Sequence, residues 1–181
     1  MGGESRGRRL GAEDGARTRR AGAGEAARVA TLVEGFGRDP EGFQYRWVEF
    51  LMQHLVHVSR FFEGDLQQMM VLALIGQMRL RALRTARAEG EEGARAPAER
   101  TGITAMRLSD ASGIPRETVR RKLRVLEARG WIARDAEGFW HIAVDEPTGE
   151  TPARRDLAEV HDQTPERVAR LVVELERLVE P

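Results

Sequence analysis

The chain has 181 residues, 29 basic and 29 acidic, and no cysteine. That length fits one ordinary domain, or a small domain with helical extensions. The missing thiols exclude disulfides, thiolate zinc sites and thiol catalysis. Zero net charge hides an asymmetry: residues 1–30 carry +3, 31–102 carry −1, 103–144 carry +3 and 145–181 carry −5. A short basic module followed by an acidic tail is more informative than the total. All basic residues but Lys122 are arginine, a bias that GC-rich codon usage explains without any recognition role. The longest apolar run, residues 69–75, falls far short of the roughly 20 residues of a membrane span. No apolar segment follows the Gly/Arg-rich N-terminus, so it does not read as a secretory signal, and a cytoplasmic protein is expected.

Residues 1–38 read as a disordered Gly/Ala/Arg-rich tail, seven glycines falling in the first 30 residues with almost no large apolar side chain. Asp39-Pro40 is a helix-start signal. Phe43, Trp47, Phe50, Leu51, Leu55 and Val58 then recur at three- and four-residue steps, predicting an amphipathic helix to about Arg60. Gly64-Asp65 opens a second helix whose centre, MMVLALI, is apolar all round, as in a helix buried on most sides. Residues 39–83 are thus expected as N-terminal scaffold or dimer helices. Residues 84–102, rich in Gly, Ala and charge with no apolar period, read as a flexible insertion.

Residues 103–144 form the most informative stretch. Thr104 can cap a short helix that Gly113 ends, and Ile114-Pro115 starts a longer one with Val119, Leu123 and Leu126 as its buried stripe. On the opposite face lie Glu117, Arg121 and Arg124, with Arg120 at its flank and Arg116 in the first turn. Gly130 closes this helix. Strands are expected at about 131–134 and 139–144, joined by Asp135-Ala136-Glu137-Gly138, which is a hairpin signal. Short helix, glycine turn, basic helix and hairpin make a winged helix-turn-helix, whose basic helix enters a major groove. In residues 145–181, Thr151-Pro152 and Thr164-Pro165 each signal a helix start. The second start predicts a helix from about 165 to 179, with a stripe of Val168, Leu171, Leu175 and Leu178 that needs a partner surface.

IPRETVRRKLRVLEARGWI, residues 114–132, resembles the recognition helix and following strand of bacterial winged-helix regulators, and RETVRR is most similar to the cyclic-AMP receptor protein superfamily. That resemblance implies Arg116, Glu117 and Arg121 as readers of base edges, with Thr118 on the backbone. The chemistry fits, since Arg pairs with guanine and Glu accepts from cytosine. Glu117 is equally explained as a carboxylate favoured at a helix N-terminus. The wider layout, two helices before the motif and two after, resembles the MarR family of dimeric regulators over about residues 39–180. It departs from that family in the 84–102 insertion and in a short wing with an acidic tip, where Arg134 is the only basic residue.

The expected fold is therefore mainly α: a three-helix core with a β-hairpin wing, flanked by N- and C-terminal dimerisation helices. The expected function is a sequence-specific, homodimeric transcriptional regulator of double-stranded DNA acting through helix 115–129, in the nucleoid. Arg116, Glu117, Thr118, Arg120, Arg121, Arg124 and Arg134 are its DNA-binding residues. A winged-helix protein-interaction module and a non-specific DNA-binding accessory protein are the alternatives. No cofactor is implied, and no enzymatic fingerprint occurs. His54 and His57 sit one helical turn apart, but no further ligand cluster is evident, so they read as ordinary helix-flank residues. The aromatics Phe43, Tyr45, Trp47, Phe50, Phe61 and Phe62 either line a small-molecule effector pocket or, as the simpler reading, form core and dimer contacts.

Overall fold

The structure is a computed structural model and describes residues 22–88, 101–145 and 147–180. The chain divides into two compact units, residues 53–165 and residues 1–52 with 166–181.

In the second of these, residues 22–38 form a helix, α1, where a tail was expected. Glycine content masks the helical character of this stretch. Ala23, Ala26, Ala27 and Ala30 are strong helix formers, and Val29, Leu32, Val33 and Phe36 repeat at helical spacing. Phe36 stacks on Phe43 at 4.9 Å, and a side chain at Gly35 would meet Val179 Cγ2 at 2.7 Å. Residues 1–21 of the expected tail lie outside the described residues. Asp39 ends α1 and accepts from Gly42 N–H at 2.9 Å, starting α2, Pro40–Arg60. Tyr45 and Trp47 are exposed, so the aromatics of this helix do not form one buried stripe.

The other unit begins with the last turns of α2. A turn over residues 61–65 leads to α3 (Leu66–Ala88), then α4 (Ala105–Ser112), α5 (Arg116–Ala128) and the antiparallel strands β1 (Ile132–Arg134) and β2 (Trp140–Ile142). Of the expected insertion, residues 84–88 continue α3 and 89–100 lie outside the described residues. The strands pair in the register Ile132 with Ile142 and Arg134 with Trp140, and Ile103 bridges Trp140 from the far side. Helix α3 supplies Val71, Leu72 and Ile75 to the core, α4 Leu108, α5 Val119, Leu123 and Leu126, and the wing Trp131, Ile132 and Trp140. The all-round apolar run 69–75 in α3 overstates its burial, since Met70 and Ala73 are exposed and Met69 and Leu74 only half-buried. Each fully buried aliphatic side chain of this set stabilises by about 1.5–3 kcal/mol.

Helix α6 (Pro152–Asp156) starts as expected at Thr151, whose hydroxyl accepts from Arg154 N–H. The next helix does not start at Pro165. Helix α7 spans Ala158–Glu176 with Pro165 inside it. Leu157 and Val160 are buried in the core, so apolar packing extends the helix upstream past a proline that lacks the N–H for an internal bond. Thr164 turns its hydroxyl back to the Val160 carbonyl at 2.6 Å instead of capping a new helix. No helix among the described residues is long and apolar enough to cross a membrane.

Candidate nucleic-acid interface

The turn between α4 and α5 is built from local hydrogen bonds. Thr104 caps α4 by accepting from Arg107 N–H, and Gly113 ends it in the left-handed region at φ 70°. Ser112 Oγ donates to the Leu108 carbonyl and accepts from Ile114 N–H, while Ser109 Oγ donates to the Ile114 carbonyl at 2.7 Å. Both serines thus clamp the short link. Pro115 stands just before α5 with its fixed φ, which the start of a helix accepts.

Helix α5 divides by chemistry into three stripes. Val119, Leu123 and Leu126 are buried to 1% exposure or less. Arg116, Glu117, Arg120, Arg121 and Arg124 are all exposed, whereas Thr118 is half-buried. Glu117 and Arg120 pair across one turn at 2.8 Å. The third stripe is Lys122 and Arg129, seven residues apart and hence on one face. Both reach the turn after α2. The Lys122 ammonium donates to Asp65 Oδ2, and Arg129 donates to the Phe61 carbonyl at 2.9 Å and to Glu63 at 3.1 Å. The other oxygen of Asp65 accepts from Gln68 N–H at 2.9 Å and so caps α3. Burial pushes the Asp65 carboxyl up, but the Lys122 and Gln68 hydrogen bonds and the charges of Lys122 and Arg121 outweigh it and hold it below the ordinary value of 3.8.

The wing packs beside α5. Its tip is fixed by Asp135, which accepts from Phe139 N–H at 2.7 Å and faces His141 Nε2 at 2.6 Å. His141 Nδ1 lies 3.0 Å from Thr101 Oγ1. Because a carboxylate only accepts, the Nε2 nitrogen carries the proton. Burial raises the Asp135 carboxyl, yet the His141 hydrogen bond, the Phe139 N–H and the His141 charge together lower it. Arg134 donates to the Gly138 carbonyl at 3.4 Å and lies 5.7 Å from the Trp140 ring.

Between α5 and the wing runs a cleft of about 640 Å³. Arg116, Arg120, Arg124 and Arg134 line it together with Glu127 and Glu137, while Glu117, Thr118 and Arg121 do not. Four expected residues thus converge on one concave surface, and the other three stand outside it. The two carboxylates temper that surface without cancelling it.

Residues 80–136 match the IclR helix-turn-helix domain. The match runs from the second half of α3 through α4, α5 and β1 into the wing turn. No curated protein and no solved structure matches the chain. The match and the helix–turn–helix–wing geometry identify a DNA-binding transcription regulator domain.

Sequence reasoning missed the part played by Asp65, Arg129 and Lys122. In the sequence Asp65 is only a helix opener, and nothing local ties it to a lysine 57 positions later. The isolated lysine in an arginine-only background is the one available signal. His57 is buried against Phe61, with ring centroids 5.8 Å apart. Among the described residues no group of three or more His, Asp or Glu could hold a metal. A second cavity, about 680 Å³, lies between α3 and residues 148–161 and is lined by Leu72, Leu80, Ile142 and Leu157, with Phe62 the one contributor from the aromatic set.

Proposed function

We propose that the chain is a sequence-specific transcriptional regulator that binds double-stranded DNA as a homodimer, with α5 in the major groove. The observation that carries this reading is the exposed arginine face of α5 standing over a fully buried apolar stripe, beside a wing that carries a further arginine. Arg116 and Arg121 read base edges, Glu117 accepts from cytosine or holds Arg120 in place, and Thr118 meets a phosphate. Arg120, Arg124 and Arg134 take the backbone strand that runs along the cleft. The resemblance of RETVRR to the cyclic-AMP receptor protein superfamily supports the base-reading roles, and the MarR-like layout supports the dimer.

The unit containing α1 also favours a second copy as partner. Val29, Val33, Val48 and Met52 are 40–63% exposed there, and Val168, Val172 and Val173 are 41–49% exposed. Val29 and Val33, Val48 and Met52, and Val168 and Val172 each recur at four-residue spacing, so each pair lines one exposed face of its helix, as an association surface would require. Two recognition helices would then meet half-sites about one helical turn apart.

Selection from a randomised duplex pool tests the reading, together with sedimentation of the full chain. The expected result is a dimer mass and an enriched inverted repeat that an Arg116→Ala/Arg121→Ala variant fails to enrich. Salt-sensitive binding without enrichment would replace it with a non-specific accessory role. No duplex binding at all would point to a protein-interaction winged helix.

A further inference from the structure

We propose that Asp65 is a positioning residue for DNA recognition, acting through Lys122 to fix the rotation of α5 against α3. The inference rests on the DNA-binding reading of α5 and concerns residues that no DNA contact would use. One carboxylate serves two helices: Oδ1 accepts the Gln68 N–H that starts α3, and Oδ2 holds the Lys122 ammonium in the middle of α5. The pair is shielded, with 29% of the Asp65 side chain and 12% of the Lys122 side chain exposed. Two turns further along, Arg129 makes the same kind of tie to the Phe61 carbonyl and to Glu63. A turn of five residues, 61–65, therefore grips α5 at its middle and at its end.

The placement of these ties decides what they do. At about 100° per residue, Arg120 and Arg124 stand about 160° to either side of Lys122, and Arg116 and Arg121 about 120° and 100° from it, so the tied face is turned away from all four exposed arginines. The buried stripe alone does not set the rotation sharply, because apolar burial is non-directional. A charge-assisted hydrogen bond is directional and does set it. Turning α5 by about 10° displaces side-chain atoms about 6 Å from its axis by roughly 1 Å. A shift of that size takes a base-edge hydrogen bond from good geometry to poor.

Asparagine caps a helix as well as aspartate does. The variant Asp65→Asn/Lys122→Met therefore keeps the α3 cap, removes both charges and leaves none uncompensated. The full chain and this variant are compared by anisotropy on the duplex recovered by selection and on a shuffled duplex of equal length, with hydrogen exchange of α3 and α5 amides measured alongside. The expected result is a fall of about ten-fold in the ratio of specific to shuffled affinity, comparable with losing one base pair of readout. Affinity for the shuffled duplex, salt slope and α3 protection are expected to stay as in the wild type. Lys122→Arg, which keeps a cation within reach of Asp65, is expected to retain the wild-type ratio. A double variant with an unchanged ratio would overturn the proposal, as would an equal loss in Lys122→Arg. If the wild type prefers no sequence, the sequence-specific reading fails by itself, and exchange decides the positioning role. Faster α5 exchange with α3 unchanged sustains a positioning role for Asp65, and unchanged α5 exchange refutes it.

Discussion

Gly113 ends α4 at φ 70°, and a Cβ added there would meet nothing within 4 Å. Any cost of Gly113→Ala therefore arises from the backbone conformation alone, which disfavours an L side chain by about 1–2 kcal/mol. Urea unfolding is expected to show a loss of that size, and a neutral substitution would mean the turn relaxes out of the left-handed region. Asp65 yields a prediction in pH. Its folded carboxyl titrates below the ordinary 3.8, so its stabilisation is fully present above that value and fades as pH falls through the folded value. The stability gap between wild type and Asp65→Asn is accordingly expected to be constant from neutral pH to about 4, and to close in stronger acid. A gap that persists unchanged in acid strong enough to protonate the folded carboxyl would show that the Asp65 charge does not produce it.

At the scale of elements, the wing depends on a close approach that no sequence pattern announces. A Cβ on Gly102 would lie 2.4 Å from His141 Cε1 in β2 and 2.7 Å from Phe139 Cβ just before it. Gly102→Ala must therefore displace His141 and with it the Asp135 contact that holds the tip. The expected cost is about 1–3 kcal/mol, with broadened or shifted His141 ring resonances. Resonances unchanged from the wild type would contradict this account of the tip. Helices α4 and α5 were legible because their signals are local: Thr104 and Gly113 bound one, and Val119, Leu123 and Leu126 phase the other. The wing was legible from its turn and aromatics, though its strands are shorter than expected. Helix α1 was not, because its glycine content masked a run of alanines. Nor was the true start of α7, where burial of Leu157 and Val160 overrode the proline signal. The division of arginines between the cleft and the outer face, and the ties from residues 61–65, depend on contacts between distant segments.

For the whole molecule, formal neutrality conceals a basic module at 103–144 beside an acidic segment at 145–181. Binding to a polyanion then depends on the local field of that module, not on total charge. On the proposed function, the α5–wing surface binds duplex DNA through its arginines. Anisotropy on a duplex across a salt series, for the wild type and Arg124→Ala/Arg134→Ala, tests it most directly. The predicted result is a steep fall of affinity with salt in the wild type. The variant should show a slope shallower by about 0.9 for each phosphate it no longer neutralises, with all sequences weakened alike. Absence of binding at about 0.1 M salt, or a slope that the two substitutions leave untouched, would contradict the claim.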